Sequence, residues 1–169
     1  CVTGLIVVDT GTYFTTFGQI IILLLIQMGG LGILTFASYF SYFFKGGTSY
    51  ESQLSLREMT NEQKISEVFS TLKKILLITF TVELVGVILV FTAIDSTLFS
   101  STLEHIFFAI FHSVSAFCNA GFSTFSNGLF ESSVRFNYWL QLVIIGLFIL
   151  GGLGFPILVN ILKYIKYLI

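Results

Sequence analysis

Two short segments hold the residues whose types and spacing could do chemistry: Cys-Val-Thr-Gly-Leu at positions 1–5 and Cys-Asn-Ala-Gly-Phe at positions 118–122. Each centres on a glycine preceded by small or polar residues. A segment of this kind can hold an ion through its backbone. Glycine admits dihedrals that turn successive carbonyls towards one axis, and those oxygens replace a cation's hydration shell. Gly4 and Gly121 suit that role, with Val2, Thr3, Asn119 and Ala120 supplying further carbonyls and no acidic ring required. The plainer reading of each segment is a glycine-containing surface turn.

The remaining reactive groups are sparse. Glu83 is the one acid in the middle of an expected span, and an intramembrane carboxylate is functional or paired rather than lipid-facing. A hydrogen bond to a neighbouring helix accounts for it at least as well as a place on an ion pathway. His112 invites a proton relay, but a neutral imidazole bonded to Ser113, Ser115 or backbone is the simpler account. Cys1 and Cys118 are the only cysteines and lie far apart in sequence, which gives neither a disulfide framework nor metal-ligand spacing. No paired carboxylates, nucleophile with a base at helical spacing, or phosphate-binding loop is present, so the sequence does not read as an enzyme and calls for no cofactor. A net charge of -1 without a basic block excludes nucleic acid as a partner.

The elements that must position these groups are set by the solvent. Hydrophobic residues make up 55% of the 169 and charged residues 10%, and the mean hydropathy is +0.94; the solvent is a lipid bilayer. A helical crossing takes about 20 apolar residues. Residues 17–44, 75–94 and 138–162 meet that length, which predicts three spans. The apolar run 103–118 is shorter, roughly 20 Å as a helix, and is expected to enter the bilayer and turn back at Asn119. Irregular backbone at membrane depth is tolerated only when buried in protein or lining water, which favours the filter reading of 118–122 over a turn. Between the first two spans, residues 45–74 carry charges of both signs at helical spacing and read as a solvated loop holding an amphipathic helix.

Orientation follows from the basic residues. Lys45, Arg57, Lys64, Lys73, Lys74, Lys163 and Lys166 fall on one side of this arrangement and Arg135 on the other, so loop 45–74 is expected in the cytoplasm and both glycine segments outside. The start at Cys1 is expected to be a truncation; a lipid-modified first cysteine fits poorly with several following spans.

The chain also repeats. Gly-Gly-Leu-Gly at 29–32 begins 25 residues after Gly4, and the same four residues at 151–154 begin 30 after Gly121, each at the end of a polar stretch and a long apolar helix. On its own that motif is a helix-packing device, and Pro156 beyond the second copy would bend its helix. A unit of helix, re-entrant loop and helix crosses the bilayer an even number of times, so successive units run parallel and can surround one pathway. The expected fold is all-α and integral to the membrane, built from potassium-channel-like helix, pore-loop, helix repeats. Residues 1–44 end one repeat, 45–74 connect, and 75–169 form the next. A channel for water or ammonia uses inverted repeats with odd crossings, and a non-transporting scaffold leaves both loops unexplained.

Cys-Val-Thr-Gly-Leu followed by Val-Val-Asp-Thr-Gly, and Phe-His-Ser-Val-Ser-Ala-Phe-Cys-Asn-Ala-Gly-Phe at 111–122, closely resemble the Ktr/Trk/HKT superfamily of potassium transporters, most of all its bacterial KtrB-type membrane subunits. Phe-Gly-Gln-Ile at 17–20 and Gln-Met-Gly-Gly-Leu-Gly at 27–32 resemble the outgoing helix of that family's first repeat. The resemblance implies four repeats around a K+ pore, of which two are represented here, with Val2, Thr3, Gly4, Asn119, Ala120 and Gly121 in two filter strands. It implies homodimeric subunits in the bacterial plasma membrane, a cytosolic nucleotide-binding regulatory ring and, in some members, coupling to Na+. Gly4 stands where many sodium-preferring plant relatives carry serine. The family's gating loop belongs to a third repeat, so no gating residue is carried over.

Overall fold

A computed structural model describes residues 4–32 and 65–153, with side chains in the second stretch from Lys73 onward. The described residues form helices and turns and no strand. The helices are α1 (Thr10–Tyr13), α2 (Thr16–Leu31), α3 (Ile65–Ala93), α4 (Thr102–Phe117) and α5 (Tyr138–Gly152), with 3-10 turns at Ser96–Leu98 and Gly128–Phe130. The chain divides into two compact units, Cys1–Gly30 with Thr81–Leu153, and Leu31–Phe80 with Gly154–Ile169. The site lies in the first. Val2, Thr3, Pro156, the amphipathic part of loop 45–74 and the far ends of the first and third expected spans fall outside the described residues.

Lys73–Ala93 of α3 is long and apolar enough to cross a membrane. Leu84, Val85 and Ile88 on it are exposed, as are Trp139, Leu142, Ile145 and Phe148 on α5. Apolar residues all round a helix, left uncovered by protein, suit a lipid solvent. The helix also begins at Ile65, ten residues before the apolar run, because nothing between Ile65 and Lys74 breaks helical geometry.

α4 is the helix that leads into the glycine segment at 118–122. Its 16 residues rise about 24 Å, short of the ~30 Å hydrocarbon thickness. Its start is fixed by a capping arrangement: Ser101 Oγ accepts from Glu104 N at 3.2 Å, and Glu104 Oε2 accepts from Ser100 N at 3.0 Å. The C-terminal part of α4 is enclosed: Phe108, Ala109, Phe111, His112, Ser113, Val114, Ser115 and Phe117 are all buried. Two apolar clusters hold it. Val90 and Ile94 of α3, Phe108 and Ala109 of α4, and Leu140, Val143 and Leu147 of α5 form one. Ile26 of α2, Phe111, Val114 and Ala120 form the other.

Asn137 ties the end of α3 to the start of α5. Its Oδ1 accepts from Leu140 N at 3.0 Å as the cap of α5, while Nδ2 donates to Ala93 O at 2.6 Å at the end of α3.

Candidate ion filter

α4 ends at Cys118, and the chain then turns through two left-handed residues, Asn119 (φ 56) and Gly121 (φ 74). Gly4, from the other end of the described chain, is also left-handed (φ 65) and lies against this turn. A Cβ placed on Gly4 would collide with the Ala120 carbonyl oxygen and sit 3.4 Å from the Gly121 Cα; one on Gly121 would sit 3.8 Å from the Gly4 Cα. Both glycines are therefore fixed by backbone geometry, and Gly4 also by close approach. The sequence reading placed them in equivalent segments more than a hundred residues apart, and the fold brings them side by side.

The buried face of α4 braces the turn. Ala120 N donates to Ser115 O at 2.8 Å. Ser115 Oγ donates to Phe122 O at 2.7 Å. His112 Nε2 lies 2.9 Å from Ser123 Oγ, and His112 Nδ1 lies 3.0 Å from Phe108 O. A carbonyl can only accept, so Nδ1 carries the proton and Nε2 accepts from the Ser123 hydroxyl. Ser123 Oγ in turn accepts from Phe125 N at 3.0 Å. The carbonyl of Phe122 is thus engaged by Ser115, whereas those of Asn119, Ala120 and Gly121 have no hydrogen-bond partner among the described residues. Three successive free carbonyls are what a cation site needs. The Ala120 methyl is buried against Ile26, Phe111 and Val114, behind the turn.

Against the end of α4, the two Gly-Gly-Leu-Gly motifs acquire a physical meaning. A Cβ on Gly30 would collide with the Cys118 thiol, and one on Gly151 would collide with the Phe117 carbonyl oxygen. One motif from each copy therefore lets a helix backbone press on the end of α4. Asn119 points its amide at α5; in the orientation that satisfies both amide atoms, Nδ2 donates to Phe148 O at 3.3 Å and Oδ1 accepts from Gly152 N at 3.2 Å. Its side chain is a tether, and its backbone carbonyl is the part left free.

Above the turn, the segment after Gly4 is organised by α1. Asp9 Oδ1 accepts from Gly11 N at 2.8 Å as its cap, and Gln19 Nε2 lies within 3.2–3.3 Å of the carbonyls of Thr10, Gly11 and Phe14. A Cβ on Gly11 would strike the Thr124 carbonyl, so the stretches that follow the two glycine segments also touch. The Ser126 hydroxyl, with the Gly11 and Thr12 amides, holds the Asp9 carboxyl below the ordinary carboxylate range.

The sequence matches the profile of TrkH, described as cation transport protein, over residues 1–169. The chain belongs to that family. Among relatives, it is 39% identical over 163 residues to "Ktr system potassium uptake protein B" of Bacillus subtilis (strain 168), covering 96% of this chain and 36% of the relative. It is 34% identical over 163 residues to the protein of the same name from Vibrio alginolyticus, covering 96% and 35%. It is 33% identical over 167 residues to "Potassium/sodium uptake protein NtpJ" of Enterococcus hirae, covering 97% and 36%. This TrkH-family chain thus spans about a third of the length of these relatives.

Of the six expected filter residues, Gly4, Asn119, Ala120 and Gly121 come together in this TrkH-family chain, and Val2 and Thr3 lie outside the described residues. Glu83 is buried and takes two hydrogen bonds from Gln27 of α2. His112 bonds backbone as expected, but its second partner is Ser123, beyond the turn, and neither Ser113 nor Ser115. The sequence reading missed Ser115, Ser123, Gln19 and Gln27 as supports. For Gln19 and Gln27 a signal existed: each is a polar side chain inside a charge-free apolar run, which demands a buried partner.

Proposed function

We propose that this chain supplies two of the four filter strands of a K+ uptake pore of the Ktr/Trk type. The observation that carries this reading is the pairing of left-handed Gly4 and Gly121 beside three free carbonyls at the end of a buried helix too short to span. Backbone oxygens from Thr3–Gly4 and Asn119–Gly121 would replace part of the ion's water shell, and side chains behind them would keep the ring from collapsing or widening. The carbonyl end of α4 carries partial negative charge and favours a cation there, by about 0.3–1 kcal/mol for an exposed helix end.

The remaining architecture follows from the same reading. Residues 1–44 close one helix, pore-loop, helix repeat, 45–74 connect in the cytoplasm, and 75–169 form the next, with both filter segments facing outward in the bacterial plasma membrane. Parallel repeats place their loops around one axis, and the intact protein completes the ring with two further strands. Homodimeric subunits, a cytosolic nucleotide-binding ring and Na+ as a coupling ion belong to this assignment through the family. The relatives' names, potassium uptake and potassium/sodium uptake, support the choice of cargo.

The test is growth of a K+-uptake-deficient bacterial strain at low external K+, carrying the intact protein with Gly4→Ser or Gly121→Ser. Rescue by the unaltered protein and weakened rescue by either variant is expected. Rescue indifferent to both substitutions would move the pathway away from this turn.

A further inference from the structure

Beneath the filter turn, three helices converge on one buried carboxylate. Glu83 of α3 is 4% exposed and lies 56 residues from its main partner, Gln27 of α2, whose Nε2 donates to Oε1 at 3.0 Å and to Oε2 at 3.2 Å. The Cys118 thiol, at the end of α4, donates to Oε1 across 3.9 Å, the long distance of a weak sulfur bond. The Glu83 main chain takes part as well, since Ser113 Oγ donates to Glu83 O at 2.8 Å. Two glycines one turn further along make the approach possible. A Cβ on Gly86 would collide with Ser113 Oγ, and one on Gly30 with Cys118 Sγ.

A carboxylate at membrane depth is costly and persists where it has an assigned task. Here the task is visible in the donor count. A carboxyl group presents two oxygens, enough to bind Gln27 and Cys118 together, whereas an aliphatic side chain of the same volume would leave the Gln27 amide and the thiol without partners. No ion pair holds Glu83 among the described residues, so it is not a charge being neutralised; it is a junction. The next residue after Cys118 is Asn119, where the free carbonyls begin.

We propose that Glu83 is a positioning residue for ion selection, locking α2 of the first copy to the base of the second copy's filter through Gln27 and Cys118. The inference rests on the filter reading above. A filter discriminates K+ from Na+ through the placement of its oxygens, so a loosened base degrades discrimination more than throughput. Removing the groups that hold a metal's ligands in place costs about 10–100-fold in affinity or activity, and a change of the same order is expected here in discrimination.

The experiment uses the intact protein in liposomes, with rubidium uptake normalised to reconstituted protein and with K+ and Na+ as competitors. Glu83→Ala is expected to lower K+-over-Na+ discrimination by about tenfold while uptake per molecule persists. Glu83→Gln alone, which sets two amides face to face, is expected to lie between. The exchanged pair Gln27→Glu with Glu83→Gln rebuilds the bond with its partners reversed and is expected to recover discrimination to within about threefold of the parent, the coupling expected of residues in contact. If Glu83→Ala reconstitutes poorly, the exchanged pair against Gln27→Glu alone gives the same answer. Unchanged discrimination in Glu83→Ala, or an exchanged pair no better than either single change, would overturn the proposal. Absence of rubidium uptake by the parent would instead overturn the filter reading itself.

Discussion

The backbones of Gly4 and Gly121 touch at the turn that follows α4: each is left-handed, and a Cβ on Gly121 would rest 3.8 Å from the Gly4 Cα. The contact on the Gly4 side is tighter, because a Cβ there meets the Ala120 carbonyl oxygen. Gly4→Ala therefore combines a left-handed penalty of about 1–2 kcal/mol with a collision against main chain that no rotamer relieves. Gly121→Ala carries the penalty alone. Ion flux through the intact protein should fall more for Gly4→Ala than for Gly121→Ala, measured at matched protein in the membrane.

The two Gly-Gly-Leu-Gly motifs predict different rescues. Gly30→Ala clashes with the Cys118 side chain, whereas Gly151→Ala clashes with the Phe117 main-chain carbonyl. Adding Cys118→Gly should recover part of the thermal stability lost by Gly30→Ala in the detergent-solubilised protein and none of that lost by Gly151→Ala. Equal recovery in both would contradict the packing described for α2 and α5.

Ser115→Ala removes the donor to Phe122 O while leaving the Ala120 N to Ser115 O bond in place. An orphaned carbonyl costs about 1–3 kcal/mol, and here it is also freed to rotate towards the other filter oxygens. K+-over-Na+ discrimination should drop for Ser115→Ala and be restored in Ser115→Thr, whose hydroxyl keeps the bond; the check is competition of each ion against rubidium uptake.

Asp9 sets a pH dependence in the segment around α1. Its folded carboxyl is held below its ordinary value, chiefly by the Ser126 hydroxyl. A lowered folded value means that its contribution to stability is complete above the unfolded value and is lost as pH falls through the folded one. Proteolysis of the segment around α1 in the intact protein should accelerate on acidification through the carboxylate range, and Asp9→Asn should flatten that dependence.

Much of this arrangement was legible because the membrane simplifies the code. The apolar run expected from Leu103 to Cys118 is α4 at Thr102–Phe117, and a helix begins at Tyr138, where the third apolar run begins. Gly4 and Gly121 could be singled out because a glycine in a short polar segment beside an apolar run has few other uses. What stayed hidden was the bracing. Ser115 and Ser123 look like ordinary small residues until the turn at Asn119 folds the chain back onto α4. The pairing of Glu83 with Gln27 joins two helices whose register no single-helix pattern specifies. The start of α3 at Ile65 was missed because composition marks where lipid begins, while helical geometry continues past it.

The most direct test of the central claim is rubidium uptake into liposomes by the intact protein, with K+ and Na+ compared as competitors for the parent and for Gly121→Ser. The account predicts that K+ competes at lower concentration than Na+ in the parent and that Gly121→Ser narrows this gap by about tenfold, equivalent to roughly 1.4 kcal/mol of discrimination. Uptake whose preference between the two ions is the same with and without Gly121 would contradict it.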